Sequence, residues 1–158
     1  MVYLSGQRQI IKKSGLTMRR TDKETVMVVD AQGGGLGRQL ITMIKKEMPD
    51  VHIIAVGTNS IAASNMLRAG ADEAATGENS VRVVSGMADV IIGPIGMVIA
   101  DAMLGEITPD MARAIAQSPA KRIMIPFNNC DNYVAGTSET STGKLIADAV
   151  AKLRAEFC

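Results

Sequence analysis

Thr25-Val26-Met27-Val28-Val29-Asp30-Ala31-Gln32-Gly33-Gly34-Gly35-Leu36-Gly37 is the stretch that decides how this chain folds. The apolar run Val26 to Val29 reads as a buried strand, and the amphipathic stretch Gln39 to Met48 beyond it reads as a helix. Glycine lets the backbone take positive φ and lets a ligand approach the main chain, while the first turn of a helix offers unpaired N–H groups and the positive end of its dipole. A strand, a glycine turn and a helix in that order form a cradle for an anion. The loop from Gln32 through Gly33, Gly34, Gly35, Leu36 and Gly37 to Arg38 is therefore expected to hold a nucleotide or another phosphorylated ligand.

Outward from that loop the chain keeps alternating. Val51 to Val56 reads as a second strand after the Pro49-Asp50 break, Asn59 caps a helix that Gly70 stops, and Asp72 to Thr76 reads as a short edge strand. Asn79 or Ser80 opens a short helix ending at Gly86. Asp89 to Ile92 is a third strong strand, followed by Gly93-Pro94-Ile95-Gly96 and by an apolar helix expected from Met97 to Leu104. Thr108-Pro109-Asp110 starts a helix with a hydroxyl cap, a proline at the first position and an acid in the first turn. Lys121 to Phe127 is a further strand and Tyr133 to Ala135 a short last one. Ser141 or Thr142 caps a terminal helix whose Leu145, Ile146, Ala149 and Leu153 form one apolar stripe. This order predicts an α/β fold, a Rossmann-like three-layer sandwich with a mostly parallel sheet and helices on both faces.

In such sheets ligands sit beyond the carboxyl ends of the strands. The segments expected there are Gln32 to Gly37, Gly57 to Ser60, Thr76 to Asn79, Gly93 to Gly96 and Asn128 to Asp131, all rich in glycine or polar residues. Thr58 and Asn59 are candidates for contacts to ribose or base. Gly93, Pro94 and Gly96 are expected to close the pocket, with Asn128 beside it. The dinucleotide fingerprint G-x-G-x-x-G is met only in part: with Gly37 as its third glycine and Gly34 as its second, Gln32 stands at the first. In the spacing of short-chain dehydrogenases Gly35 and Gly37 match the last two glycines and Ala31 replaces the first. The acid that would hold a ribose 2′-hydroxyl is absent from Val56 to Ser60, so NADP or a mononucleotide, with Arg38 as the nearest cation, stands as an alternative to NAD.

Asp30 bears on the choice of ligand. A carboxylate and a phosphate charge about 5 Å apart repel by roughly 3 kcal/mol at an effective dielectric near 20. A helix terminus returns typically about 0.3 to 1 kcal/mol. Asp30 therefore turns aside to bond the loop amides, or Arg38 offsets it, or Mg²⁺ lies between it and a phosphate. No catalytic residue is assigned and no metal ligands are expected. An NADP-dependent oxidoreductase is one alternative, with Asn128, Cys130, Asp131 and Asp101 as candidate proton donors and no Ser-Tyr-Lys set. A non-catalytic sensor, oligomeric through the helix from Met97 to Leu104, is another. Gly37-Arg38-Gln39 and Ser141 to Leu145 both lack the spacing of a P-loop.

The chain has 158 residues, 47% of them apolar, enough for one ordinary core. Residues 1–22 carry +4 and the remainder −3, so the basic charge sits on a leader expected to be poorly ordered, ahead of a single domain at 23–158. Nucleic acid is not an expected partner; a small phosphorylated molecule is, with a homo-oligomer as a further option. No apolar run reaches the roughly 18 to 20 residues that span a bilayer, and no signal peptide is recognisable, so a cytoplasmic location without membrane attachment is expected. Two cysteines and one histidine cannot build a tetrahedral zinc site or a disulfide framework from one chain.

From Val26 to about Val134 the sequence resembles the bacterial family called domain of unknown function 3842. The motifs that carry the likeness are Asp30 to Gly37, Gly57-Thr58-Asn59, Gly70-Ala71-Asp72 with Ala75 to Asn79, Asp89 to Ile95, Met103 to Pro109, and Ile125-Pro126 with Asn128 and Cys130. Members typically read Asp-Gly-Gln where this chain has Asp30-Ala31-Gln32. The resemblance implies a small Rossmann-like protein with no established activity.

Overall fold

The computed structural model describes residues 22–126, 132–137 and 140–158. Five strands form one parallel sheet: β1 (Thr25–Asp30), β2 (His52–Gly57), β3 (Glu73–Thr76), β4 (Val90–Pro94) and β5 (Lys121–Ile125), in the order β3-β2-β1-β4-β5. β1 is central because every one of its residues is buried, as an apolar strand covered on both faces must be. Its Val28 lies between Ala55 of β2 and Ile92 of β4.

Alternate side chains of β1 enter two separate cores. Val26 and Val28 pack with α1 (Gly35–Glu47), α2 (Ser60–Arg68) and α5 (Thr142–Phe157), through Leu40, Ile44, Met66 and Leu153. Met27 and Val29 pack with α3 (Glu78–Ser85) and α4 (Pro109–Gln117), through Val81, Met111 and Ile115. The result is the expected three-layer α/β sandwich. The helix starts obey their side-chain caps: Asn59 accepts from the Ala62 amide, Thr108 from Met111 and Ser141 from Lys144. In α5, Ile146, Ala149 and Leu153 are buried as the stripe requires.

The structure departs from the sequence reading in four places. α3 begins at Glu78, behind Gly77, rather than at Asn79 or Ser80. β5 ends at Ile125, while Phe127 lies outside the described residues. Tyr133 to Ala135 forms no strand; Tyr133 is exposed and the Thr137 hydroxyl closes a turn onto the Val134 carbonyl.

The largest correction concerns Met97 to Leu104. No α-helix forms there; a single 3₁₀ turn, Ile95–Val98, runs into successive turns in which Asp101, Met103 and Leu104 have φ of 62°, 56° and 60°. Long-range packing sets this path, because Met97 and Ile107 both plug the α3–α4 core and the Asp101 amide donates to the Ile107 carbonyl. Leu104 is left fully exposed, and Asp101, which the helical reading had placed among apolar neighbours, is exposed as well.

Candidate functional site

The connection after β1 leaves toward α1 on one face of the sheet, and the connection after β4 leaves toward α4 on the other. Between two neighbouring strands whose crossovers part in this way a crevice opens at their carboxyl ends. A cavity of about 480 Å³ occupies it, bounded by Asp30 to Leu36 on one side and by Pro94, Ile95, Gly96, Ile99, Ala102, Met103 and Asn132 on the other.

The glycine loop divides its amides between itself and this cavity. Asp30 accepts from the amides of Ala31 and Gly37, both at 2.8 Å, and the Leu36 amide also stabilises its carboxylate. The Gly34 amide donates to the Ala31 carbonyl, and the Gln32 amide donates to Glu106 at 2.9 Å. Among the described residues the amides of Gly33 and Gly35 meet no protein acceptor.

The steric reasons for the glycines divide in the same way. Gly34 has φ of +69° and caps α1; a Cβ there would lie 2.8 Å from the Ala62 backbone. A Cβ on Gly37 would press on Met66, and one on Gly93 would lie 2.3 Å from the Val29 carbonyl oxygen. Gly33 and Gly35 have no such demand: neither has positive φ, and a Cβ on either would meet nothing within 4 Å. Both residues border the cavity.

Of the three ways Asp30 could act, the structure takes the first: it turns aside to bond the loop, with each carboxylate oxygen held by a backbone amide. Burial drives its carboxyl above the ordinary range, the amides of Gly37, Ala31 and Leu36 work against that rise, and Glu106 adds to it. Arg38 does not offset it, because Arg38 lines a different groove.

Glu106 joins the loops that the sequence had left separate. Its Oε1 accepts from the Gln32 amide, from the Thr58 hydroxyl at 2.5 Å and from the Asn59 side-chain amide at 2.7 Å. Burial would raise its carboxyl, but the bonds from Thr58, Gln32 and Asn59 outweigh burial and hold it below the ordinary range. Asn59 also donates to the Gln32 carbonyl. Gln32 itself sits at φ 51°, a left-handed conformation that costs a residue with Cβ about 1 to 2 kcal/mol, so these contacts hold a strained turn.

The structure thus gathers Gln32, Gly33, Gly34, Gly35, Leu36, Pro94 and Gly96 around one cavity. Gly37 spends its amide on Asp30, and Gly93 is needed where β4 passes β1. Thr58 and Asn59 turn to Glu106 and stand outside the cavity lining. Asn128, Cys130 and Asp131 lie outside the described residues. Ile99, Ala102, Met103 and Glu106 were not read as site residues. Ile99, Ala102 and Met103 fell in the segment read as an apolar helix, and Met103 and Glu106 in the run Met103 to Pro109, noted only as part of the family pattern.

Residues 25–158 match the family described as a domain of unknown function, DUF3842. The chain belongs to the DUF3842 family. The span that defines this DUF3842 protein starts at the first residue of β1 and includes every residue that borders the cavity. No curated protein matches it by sequence.

Among solved structures, the DUF3842 chain is similar to a dodecameric FMN-dependent Ubix-like decarboxylase from Escherichia coli O157:H7. The identity is 14% and the TM-score 0.49, over 84% of this chain and 94% of that one. It is also similar to AibC, at 16% identity and a TM-score of 0.46 over 85% of this chain and 42% of that one. A D-arabinose dehydrogenase from Sulfolobus solfataricus gives 17% and 0.45, over 86% and 44%. The DUF3842 chain spans less than half the length of the last two. No inference about ligand or reaction passes from these three proteins to it.

Proposed function

We propose that this DUF3842 protein binds a nucleotide in the cavity at the carboxyl ends of β1 and β4, with a phosphate on the amides of Gly33 and Gly35. One observation carries the reading: these two glycines leave their amides unpartnered beside a cavity, and neither backbone angle nor packing requires them to be glycine. Close approach of a ligand is the remaining reason for glycine at such positions. Pro94, Ile95, Ile99, Ala102 and Met103 give the opposite wall an apolar surface suited to a ring system. Among the described residues no lysine or arginine borders the cavity, and Asp30 is part of its lining, which favours phosphodiester or diphosphate groups held by amides over a doubly charged terminal phosphate.

The NADP reading had rested on Arg38, Thr58 and Asn59, and these residues face other partners. Binding of a nucleotide is proposed without a reaction. The test is a thermal-shift panel of dinucleotides, flavin nucleotides and adenosine nucleotides. A ligand at 100 times its dissociation constant stabilises by about 2.7 kcal/mol, roughly 5 to 11 °C for a domain of this size. A shift is expected with at least one of them, lost in Gly33→Ala and Gly35→Ala. A panel without any shift, or one in which every shift survives both substitutions, sinks the proposal.

A further inference from the structure

We infer that the groove between α1, α2 and the start of α5 is a second binding site, for a compact anion that carries two or three linked phosphate groups. The groove has a volume of about 720 Å³ and is separate from the switch-point cavity. Arg38 and Lys46 of α1 and Arg68 of α2 line it, together with Thr42, Asn65 and Gly143, and among the described residues no carboxylate does. Among the described residues none of the three cations has a carboxylate partner, and Arg68 bonds only the Asn65 side-chain carbonyl.

The neighbouring charges are paired elsewhere. Lys45 holds Asp72, and Glu47 holds Arg154, so the residues flanking Lys46 in sequence neutralise other surfaces and leave the groove positive. Three like charges around one hollow raise its potential and attract a counter-anion.

Size and charge choose the kind of anion. Arg38 and Lys46 stand eight residues apart on one helix, about 12 Å along its axis, a span that a short phosphate chain fills better than a single phosphate. A long polyanion such as RNA would run beyond the groove onto a surface whose net charge, over residues 23–158, is −3. The site is therefore for a nucleoside triphosphate tail or a free oligophosphate.

The experiment is isothermal titration calorimetry of the full chain with sodium tripolyphosphate at constant ionic strength. Arg38→Gln, Lys46→Gln and Arg68→Gln are each expected to weaken binding by about tenfold, the effect of losing a charge-assisted hydrogen bond. Lys152→Gln, which removes a cation on the outer face of α5, should leave affinity unchanged. Competition by ATP would identify the nucleotide tail as the source, and its failure to compete would leave the free oligophosphate; both uphold the site. Circular dichroism melts of each variant show that it is folded. No binding by the wild type, an equal loss in Lys152→Gln, or tighter binding of a single-stranded RNA than of tripolyphosphate overturns the inference.

Discussion

Gly33, Gly34 and Gly35 are adjacent and alike in sequence, yet the fold asks different things of them. The middle one is held at positive φ against the α2 backbone, while its neighbours have ordinary angles and open space where a side chain would begin. Gly34→Ala should therefore cost about 1 to 3 kcal/mol or more in urea melts. Gly33→Ala and Gly35→Ala should leave stability unchanged or raise it by up to about 1 kcal/mol. Equal loss at all three positions would remove the case that two of them serve a ligand. Glu106 and Asp30 yield a prediction in pH. Glu106 has a lowered folded pKa, so its contribution is present above the unfolded carboxylate value, about 4.3, and is lost as pH falls through the folded value. Asp30 has the opposite sign: its contribution is full below its unfolded value and fades as pH rises through the raised folded one. Glu106→Gln should then lower stability by about 1 to 3 kcal/mol at neutral pH, with the difference closing below about pH 4. A deficit that is constant from acid to neutral pH would contradict the role given to its charge. The bonds of Asp30 to the loop amides were one of three options read from the sequence, but the ties of Glu106 were not legible locally. Glu106 reaches Gln32 and Thr58 across 74 and 48 positions of chain, and no pattern of spacing records such a tie.

The regular elements were legible because their signals are local: the continuous apolar run of β1 and hydroxyl or amide caps at Asn59, Thr108 and Ser141 all act within a few residues. The same logic failed from Met97 to Leu104. An apolar run broken only by Asp101 reads as a buried helix, but here Met97 enters the core, Ile99, Ala102 and Met103 face the cavity and Leu104 faces solvent. The orientation of Arg38 was recoverable. Arg38, Thr42 and Lys46 recur at four-residue intervals on the face of α1 opposite Leu40 and Ile44, which points them away from the sheet. The segment after β4 gives a direct test. In a helix, a glycine at position 104 would cost about 1 kcal/mol. With Leu104 exposed at φ 60°, relief of the left-handed strain offsets the entropy of the new glycine, and Leu104→Gly should be neutral or stabilising by roughly 0.5 kcal/mol. A clear loss in chemical denaturation would argue for a helix there.

For the molecule taken whole, a single parallel sheet sets two hollows of different character on either side of the α1 start. Among the described residues, one borders the amides of Gly33 and Gly35, has an apolar wall and is lined by no cation; the other is lined by three cations and no acid. Asn65 links them, since it lines the second and donates to the Gly33 carbonyl at 2.8 Å. Among the described residues no helix is long and apolar enough to cross a membrane. The most direct measurement is a ¹⁵N-resolved NMR titration of the full chain with the dinucleotides, flavin nucleotides and adenosine nucleotides of the thermal-shift panel. The amide resonances of Gly33 and Gly35 should move most with the bound nucleotide, while that of Gly37, committed to Asp30, should move little. Saturating nucleotide that leaves Gly33 and Gly35 unmoved, or a panel in which nothing shifts any loop amide, would contradict the assignment of this cavity.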